Sequence, residues 1–434
     1  MGVGTKDLSV SKAIALFGGV VAFGITYVRG LQNTKFPDAI PILEQAYGIT
    51  KGWAFMSSHP LLESNPLHLQ FPSGLPLILA FTFLITHSTS LFFFKILLAI
   101  GHGFSVYLVA RIGQEIQLKH IYWVLAAIGF SIDPFILSAA TDVQTESITT
   151  LIVLWWAFLY ITPIISKSQT LFRIIGFPIT GFIAIAVRPN ILVPFLLITI
   201  IMFIRWYHDS LKSRLILASA FIFVSLFTLF EVFLTRLYNG FVLLAPNGGI
   251  NSVLTCRTEF IPQYLGIASN VENTRINSWY YAYLQELTTK LLSRQDVLSI
   301  PALNHDLYSA GISSCLANPI SSFGVLLLKV FAIWRPFAVV GAYDLKVFLL
   351  GAFLWVPMTL AAIWYLSNLK LSKTNRLLQT YFAALAIGFT ISLLPAATQI
   401  RHRIAFAEPF YWLFLLFFIS QILAKMIESQ KRQR

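Results

Sequence analysis

Apolar runs of about 17–25 residues, the length needed to cross a bilayer as a helix, recur along the chain near 13–29, 90–110, 121–139, 144–162, 171–187, 190–205, 214–238, 346–366, 377–397 and 405–424. These runs are too long for sheet strands and too many for one buried core. They predict an all-α polytopic membrane protein, since only helices and closed barrels satisfy their backbone groups in lipid. Two further stretches, 71–88 and 319–335, are ambiguous, because Pro72, Gly74 and Pro76 interrupt the first while Lys329 and Arg335 lie in the second. The predicted architecture is therefore about 10–13 transmembrane helices with amphipathic helices on one face.

Basic residues between the runs orient them. Lys and Arg collect in cytoplasmic loops, and the richest connections are Arg205–Arg214, Lys370–Arg376 and the tail with Lys425, Lys431, Arg432 and Arg434. Counting back from these as inside puts Arg188, the Asp133–Glu146 turn, Arg401 and Arg403 outside. With Lys6 and Lys12 also inside, parity requires that 71–88 not fully cross and that 319–335 lie on the surface as an amphipathic helix. The chain then reads as a single integral membrane domain, 1–434, with a first external loop at 30–89, a large external region at 239–345 and C-terminal helices over 346–434. The run 13–28 is read as a retained first helix, because no convincing small-x-small cleavage site follows it.

Composition agrees: 57% of the 434 residues are hydrophobic and 11% charged, against roughly 45–50% and about 25% in an ordinary soluble domain. The net charge of +13 would suggest nucleic acid for a soluble protein, but topology accounts for it here and no nucleic-acid partner is expected. Cys256 and Cys315 both fall in the external region. In an oxidising compartment a bridge between them and two buried free thiols fit the sequence equally.

Candidate chemistry lies on the outside. Asp38 follows the first run in Lys35-Phe36-Pro37-Asp38-Ala39, with Glu44 six positions on. It could deprotonate a hydroxyl at the membrane surface, or cap a helix over 39–51 whose first turn holds Pro41. His59, Glu63 and His68 lack the spacing of a metal-binding helix, so no metal or other cofactor is expected, although the residues leave a divalent ion open. Asp142 and Glu146 stand at i, i+4 near a helix start, where both should face the same way. Arg188, Arg335, Arg401 and Arg403 are all external by parity, and guanidinium groups bind phosphate oxygens bidentately. Snorkelling toward the interface explains any one of them, but explains four on one face less well.

The order of these features resembles a known family. An early external Asp is followed by "FPSGLPLILA", "TDVQTESITTLI", the break "AVRPN", the stretch "NPISSFGVLLLKVFAIW" and the late "RHRIAFAEP". The series is similar to the GT-C superfamily of polyprenyl-phosphate-dependent glycosyltransferases, above all its bacterial branch of protein O-mannosyltransferases and the lipid A aminoarabinose transferase. The chain departs from that pattern at Ala39, where a second acid is common, and at His402, where Tyr is usual.

The resemblance implies a sugar donor on a polyprenyl or dolichyl phosphate and an acceptor hydroxyl on a glycan, lipid or protein. It implies Asp38 as base, and phosphate-binding basic residues at Arg401, Arg403 and Arg188. Asp142, Glu146, Arg335 and Glu44 complete the expected substrate-binding set. The location implied is a bacterial inner membrane with the site facing the periplasm or exterior. A lipid-linked-sugar flippase or transporter and a polysaccharide polymerase are the competing readings; a transporter would more usually show paired repeats and polar groups at the membrane midplane.

Overall fold

The computed structural model describes residues 5–34, 39–51, 73–163, 167–206, 210–237, 240–241, 248–253, 255–262, 300–335, 345–394, 403 and 405–433, with isolated positions between 271 and 293. Among the described residues there is no strand. The helices are α1 (Thr5–Arg29), α2 (Ala39–Thr50), α3 (Gly74–Thr86), α4 (Phe92–Glu115), α5 (His120–Ile132), α6 (Pro134–Ala140), α7 (Thr145–Ile161) and α8 (Lys167–Val187). They continue as α9 (Leu192–Trp206), α10 (Ser210–Leu237), α11 (Gly248–Val253), α12 (Ile300–Ala317), α13 (Pro319–Trp334), α14 (Leu345–Ser367), α15 (Lys373–Leu393) and α16 (Glu408–Gln433). The chain is an all-α polytopic membrane protein.

Nine of the ten predicted runs fall on one helix each, and the tenth, 121–139, is divided between α5 and α6. By length and composition, six described helices can cross a membrane: α1, α4, α10, α14, α15 and α16. Two bent pairs raise this to as many as eight, α5 with α6 at 56° and α12 with α13 at 108°. The helices α3, α7, α8 and α9 are apolar but shorter. At 1.5 Å per residue the 13 residues of α3 extend about 20 Å, less than the ~30 Å hydrocarbon core.

Proline sets the breaks. Pro134 cannot donate to the preceding turn, so α5 stops at Asp133, whose carboxylate restarts the chain by accepting from the amides of Phe135 (3.0 Å) and Ile136 (3.3 Å). Pro189 ends α8 in the same way, with Arg188 extended at φ −148° before the short turn Pro189–Ile191. Small residues permit close helix contact, as is usual in membranes. A Cβ on Gly103 would lie 2.7 Å from the Ala15 carbonyl, and one on Gly18 would lie 2.7 Å from Val106, so α1 and α4 touch along this seam. Aromatic rings fill the centre, among them Trp156 against Phe195 (5.2 Å) and Tyr365 against Phe414 (4.4 Å).

Hydrogen bonds tie the helix ends together at both ends of the bundle. At one end Gln114 reaches Ser11 (2.8 Å), Asn375 reaches the Ile116 carbonyl (3.2 Å), and Arg173 reaches the Thr162 carbonyl (2.9 Å). At the other end Arg29 donates to Thr141 (2.7 Å), Arg403 to the Arg335 carbonyl (2.6 Å), and Trp412 to Asp133 (3.1 Å). Cys256 and Cys315 are joined by a disulfide across 59 positions, with Cα atoms 5.1 Å apart. The bridge fastens the α11 region to α12. There Gly311 meets the Ser252 backbone, where a Cβ would come within 2.5 Å.

Candidate functional site

Two buried polar clusters occupy the end of the bundle that carries Thr141, Arg188 and Arg403. The first gathers chain segments that are remote in sequence. One apolar group joins Ala39, Ile42 and Ala46 of α2 to Leu75 and Leu79 of α3, Phe94 and Leu98 of α4, Val143, and Val187 at the end of α8. Gly74 allows the tightest of these contacts: a Cβ there would lie 2.3 Å from the Ala186 carbonyl carbon and 2.6 Å from the Val187 nitrogen.

Around this apolar floor the charged groups pair. Arg188 Nη1 stands 3.4 Å from Glu146 Oε1, both side chains buried, and Thr145 Oγ1 donates to Glu146 Oε2 at 3.2 Å. Asp142 is buried and accepts from the Val143 amide at 2.8 Å. Asp142 and Glu146 do not share a helix, as their spacing led one to expect. Gln144 is extended, at φ −138° and ψ 150°, so α7 starts at Thr145 and leaves Asp142 in the preceding turn. Lys95 completes the cluster. Only 1% exposed, it donates to the carbonyls of Gly30 (3.2 Å) and Asn33 (2.6 Å).

The seven residues of α6, about 10 Å of helix, lead from Thr141 back to Asp133 and the second cluster. Arg403 is its centre and is 0% exposed. Its Nη1 donates to the Arg335 carbonyl at 2.6 Å and its Nε faces Glu408 Oε1 at 3.4 Å. The guanidinium lies over the rings of Trp355 (4.8 Å) and Tyr411 (5.6 Å). Trp355 in turn meets Phe135 of α6 at 4.1 Å. Helix α13 brings two more cations: Lys329, 0% exposed and donating to the Leu394 carbonyl at 3.0 Å, and the buried Arg335. The opposite face of α13 exposes Ile320, Phe323, Leu327 and Phe331, so its outward stripe is apolar and its inward one carries charge.

Of the expected residues, Arg188, Glu146 and Asp142 come together in the first cluster and Arg335 and Arg403 in the second. Glu44 is half-buried on α2, the helix that lines the first cluster's floor. Asp38 and Arg401 lie outside the described residues, as do His59, Glu63 and His68. Among the described residues no three His, Cys, Asp or Glu side chains are grouped to hold a metal ion. Sequence reasoning passed over Lys95 and Glu408. The signal for Lys95 was available, since a lone charge within "LFFFKILLAI" is costly in a membrane segment and marks a site by default. Glu408 stands in the first turn of α16, where an acid also complements the helix dipole, so its position alone carries no signal.

No family model and no curated protein matches the chain. Among solved structures the chain is similar to the archaeal oligosaccharyltransferase AglB from Archaeoglobus fulgidus, determined with an inhibitory peptide and a dolichol-phosphate, at 13% identity and a TM-score of 0.47. The match covers 98% of this chain and 52% of that one, so the chain spans about half the length of the protein it resembles.

Proposed function

We propose that this protein is a membrane glycosyltransferase of the GT-C type. It moves a sugar from a polyprenyl or dolichyl phosphate to an acceptor hydroxyl on the non-cytoplasmic face, with inversion at the anomeric carbon. The observation that carries this reading is convergence. The described parts of the segments on which the family resemblance rests, 71–80, 141–152, 186–190, 318–334 and 401–409, are scattered over the chain yet contribute to two neighbouring charged clusters at one end of the bundle. Apolar packing alone would not draw buried Lys and Arg side chains to a single end, because each is expensive to bury.

The two clusters suit two halves of a donor. Lys329, Arg335 and Arg403 outnumber the carboxylates of Asp133 and Glu408, so the second cluster favours an anion and is assigned the lipid phosphate, together with Arg401. Buried and braced between Glu408 and the Arg335 carbonyl, Arg403 sets the position of Arg335. The Glu146–Arg188 pair, Asp142 and Glu44 offer both donors and acceptors and are assigned the sugar. Asp38 deprotonates the acceptor hydroxyl, which attacks the anomeric carbon as the bond to the phosphate breaks; the arginines hold the charge that develops on the departing phosphate. No cofactor is required. The disulfide supports placing the 239–345 region in an oxidising compartment, in line with an outward-facing site in a bacterial inner membrane.

The test is Asp38→Asn in purified full-length protein, supplied with a polyprenyl-phosphate sugar and a hydroxyl acceptor. Asn serves nearly as well as Asp at a helix cap, so thermal stability should hold while turnover falls by roughly 10²–10⁴. Undiminished transfer by Asp38→Asn would remove Asp38 from the mechanism. Movement of an intact lipid-linked sugar between leaflets by wild-type protein, with no glycosidic bond formed, would favour a flippase instead.

A further inference from the structure

Lys95 is the residue whose placement the proposed chemistry leaves unexplained. It sits in the first turn of α4, Phe92–Glu115, close enough to the helix end for a long side chain to reach the interface. A lysine in that position ordinarily snorkels, burying its stem and leaving the ammonium in water. Lys95 turns inward instead and is 1% exposed. Its ammonium donates to two backbone carbonyls of one turn, Gly30 at 3.2 Å and Asn33 at 2.6 Å. The second is a short charge-assisted bond.

That turn is tied down on every side. Gly30 holds φ +90°, a conformation open to glycine at little cost, and the Asn33 amide closes the turn onto the Gly30 carbonyl at 3.1 Å. Gln32 accepts from the Leu91 amide at 3.0 Å and donates to Ser90 at 2.5 Å. Arg29, just ahead, donates to Thr141 at 2.7 Å. Asp142, next to Thr141 in the same turn, is buried. Ala39, on the far side of the 35–38 segment, is buried in the floor of the first cluster.

We infer that Lys95 is a positioning residue of the transferase site: its ammonium pins the Gly30–Asn33 turn to α4, beside the bond from Arg29 to Thr141, so that the chain running on from Asn33 leaves from a fixed point. A water molecule or a neutral side chain could reach the two carbonyls, but a charged donor holds them more strongly. The inference rests on the reading of Asp38 as the base.

The experiment uses full-length protein in lipid nanodiscs and compares Lys95→Met, which keeps length and apolar stem, with Lys95→Arg, which keeps charge and donors. Expected for Lys95→Met is a fall in kcat of about 10²-fold, the scale on which ~1 Å of misplacement acts, with KM for the lipid-phosphate donor within about twofold. Lys95→Arg should recover at least about tenfold of that loss, since a guanidinium can still donate to both carbonyls. Hydrogen exchange in peptides covering 30–34 should speed up in Lys95→Met. In the Asp38→Asn background, Lys95→Met should cost nothing more, because groups that act as one unit are not additive. If Lys95→Met does not fold, Gln32→Ala loosens the same turn and should show the same kcat loss and the same non-additivity. Wild-type kcat in Lys95→Met, a loss confined to KM, or losses that multiply with Asp38→Asn would each overturn the inference. Wild-type turnover in Asp38→Asn would sink the base, and the exchange of 30–34 would still report separately whether Lys95 holds the turn.

Discussion

Gly74→Ala places one methyl group where the structure has no room for it. The new Cβ would stand 2.3 Å from the Ala186 carbonyl carbon, 2.4 Å from its oxygen and 2.6 Å from the Val187 nitrogen. All three are backbone atoms at the end of α8, so no side chain can swing away. Ordinary contact begins near 3.4 Å, which means α3 and the end of α8 must separate by about 1 Å, and overpacking of this kind costs roughly 1–3 kcal/mol. Arg188 follows Val187 directly and is held 3.4 Å from Glu146, so a shift of that size carries the guanidinium off its partner. A reacting geometry displaced by ~1 Å can lose about 10²-fold in rate. The expected result is a modest fall in melting temperature with a disproportionate loss of sugar transfer. Gly24→Ala and Gly324→Ala, where an added Cβ meets nothing within 4 Å, serve as controls. Wild-type stability and turnover in Gly74→Ala would refute both the close contact and its link to the site.

Arg188→Met leaves Glu146 buried without its partner and should destabilise by about 3–5 kcal/mol; adding Glu146→Gln should restore much of the stability and none of the turnover, as thermal unfolding and transfer assays would show. Removing the disulfide with Cys256→Ser and Cys315→Ser releases a closure of 59 positions, about 4 kcal/mol in the chain-entropy model, and exchange in α11 and α12 should rise; unchanged exchange would contradict it. Lys290→Cys, on an exposed position of the 239–345 region, should react with an impermeant thiol reagent in intact cells, while Ser372→Cys should not. The reverse pattern would invert the assigned topology.

What the linear sequence determined is set by local physics. Hydrophobic length located the helices at 13–29, 90–110 and the rest, because a membrane helix satisfies its own backbone whatever its neighbours are. The break at Pro189 was legible in Ala186-Val187-Arg188-Pro189-Asn190, whereas the run 121–139, read as one span, is divided at Pro134 into α5 and α6. Sequence order also suggested that Asp142, Glu146, Arg188, Arg335 and Arg403 belong to one face. It did not say which of them touch. The partner of Arg403 is a carbonyl 68 positions away, and that of Lys95 is a turn 65 and 62 positions away; no periodicity encodes such pairs. The i, i+4 spacing of Asp142 and Glu146 suggested a shared helix face, and the extended Gln144 removed it, because the chain must turn there to enter α7. The inward face of α13 and the contact at Gly74 were likewise decided by close approach between helices. In a membrane bundle that approach depends on shape rather than on hydrophobicity, since lipid and protein interior are equally apolar.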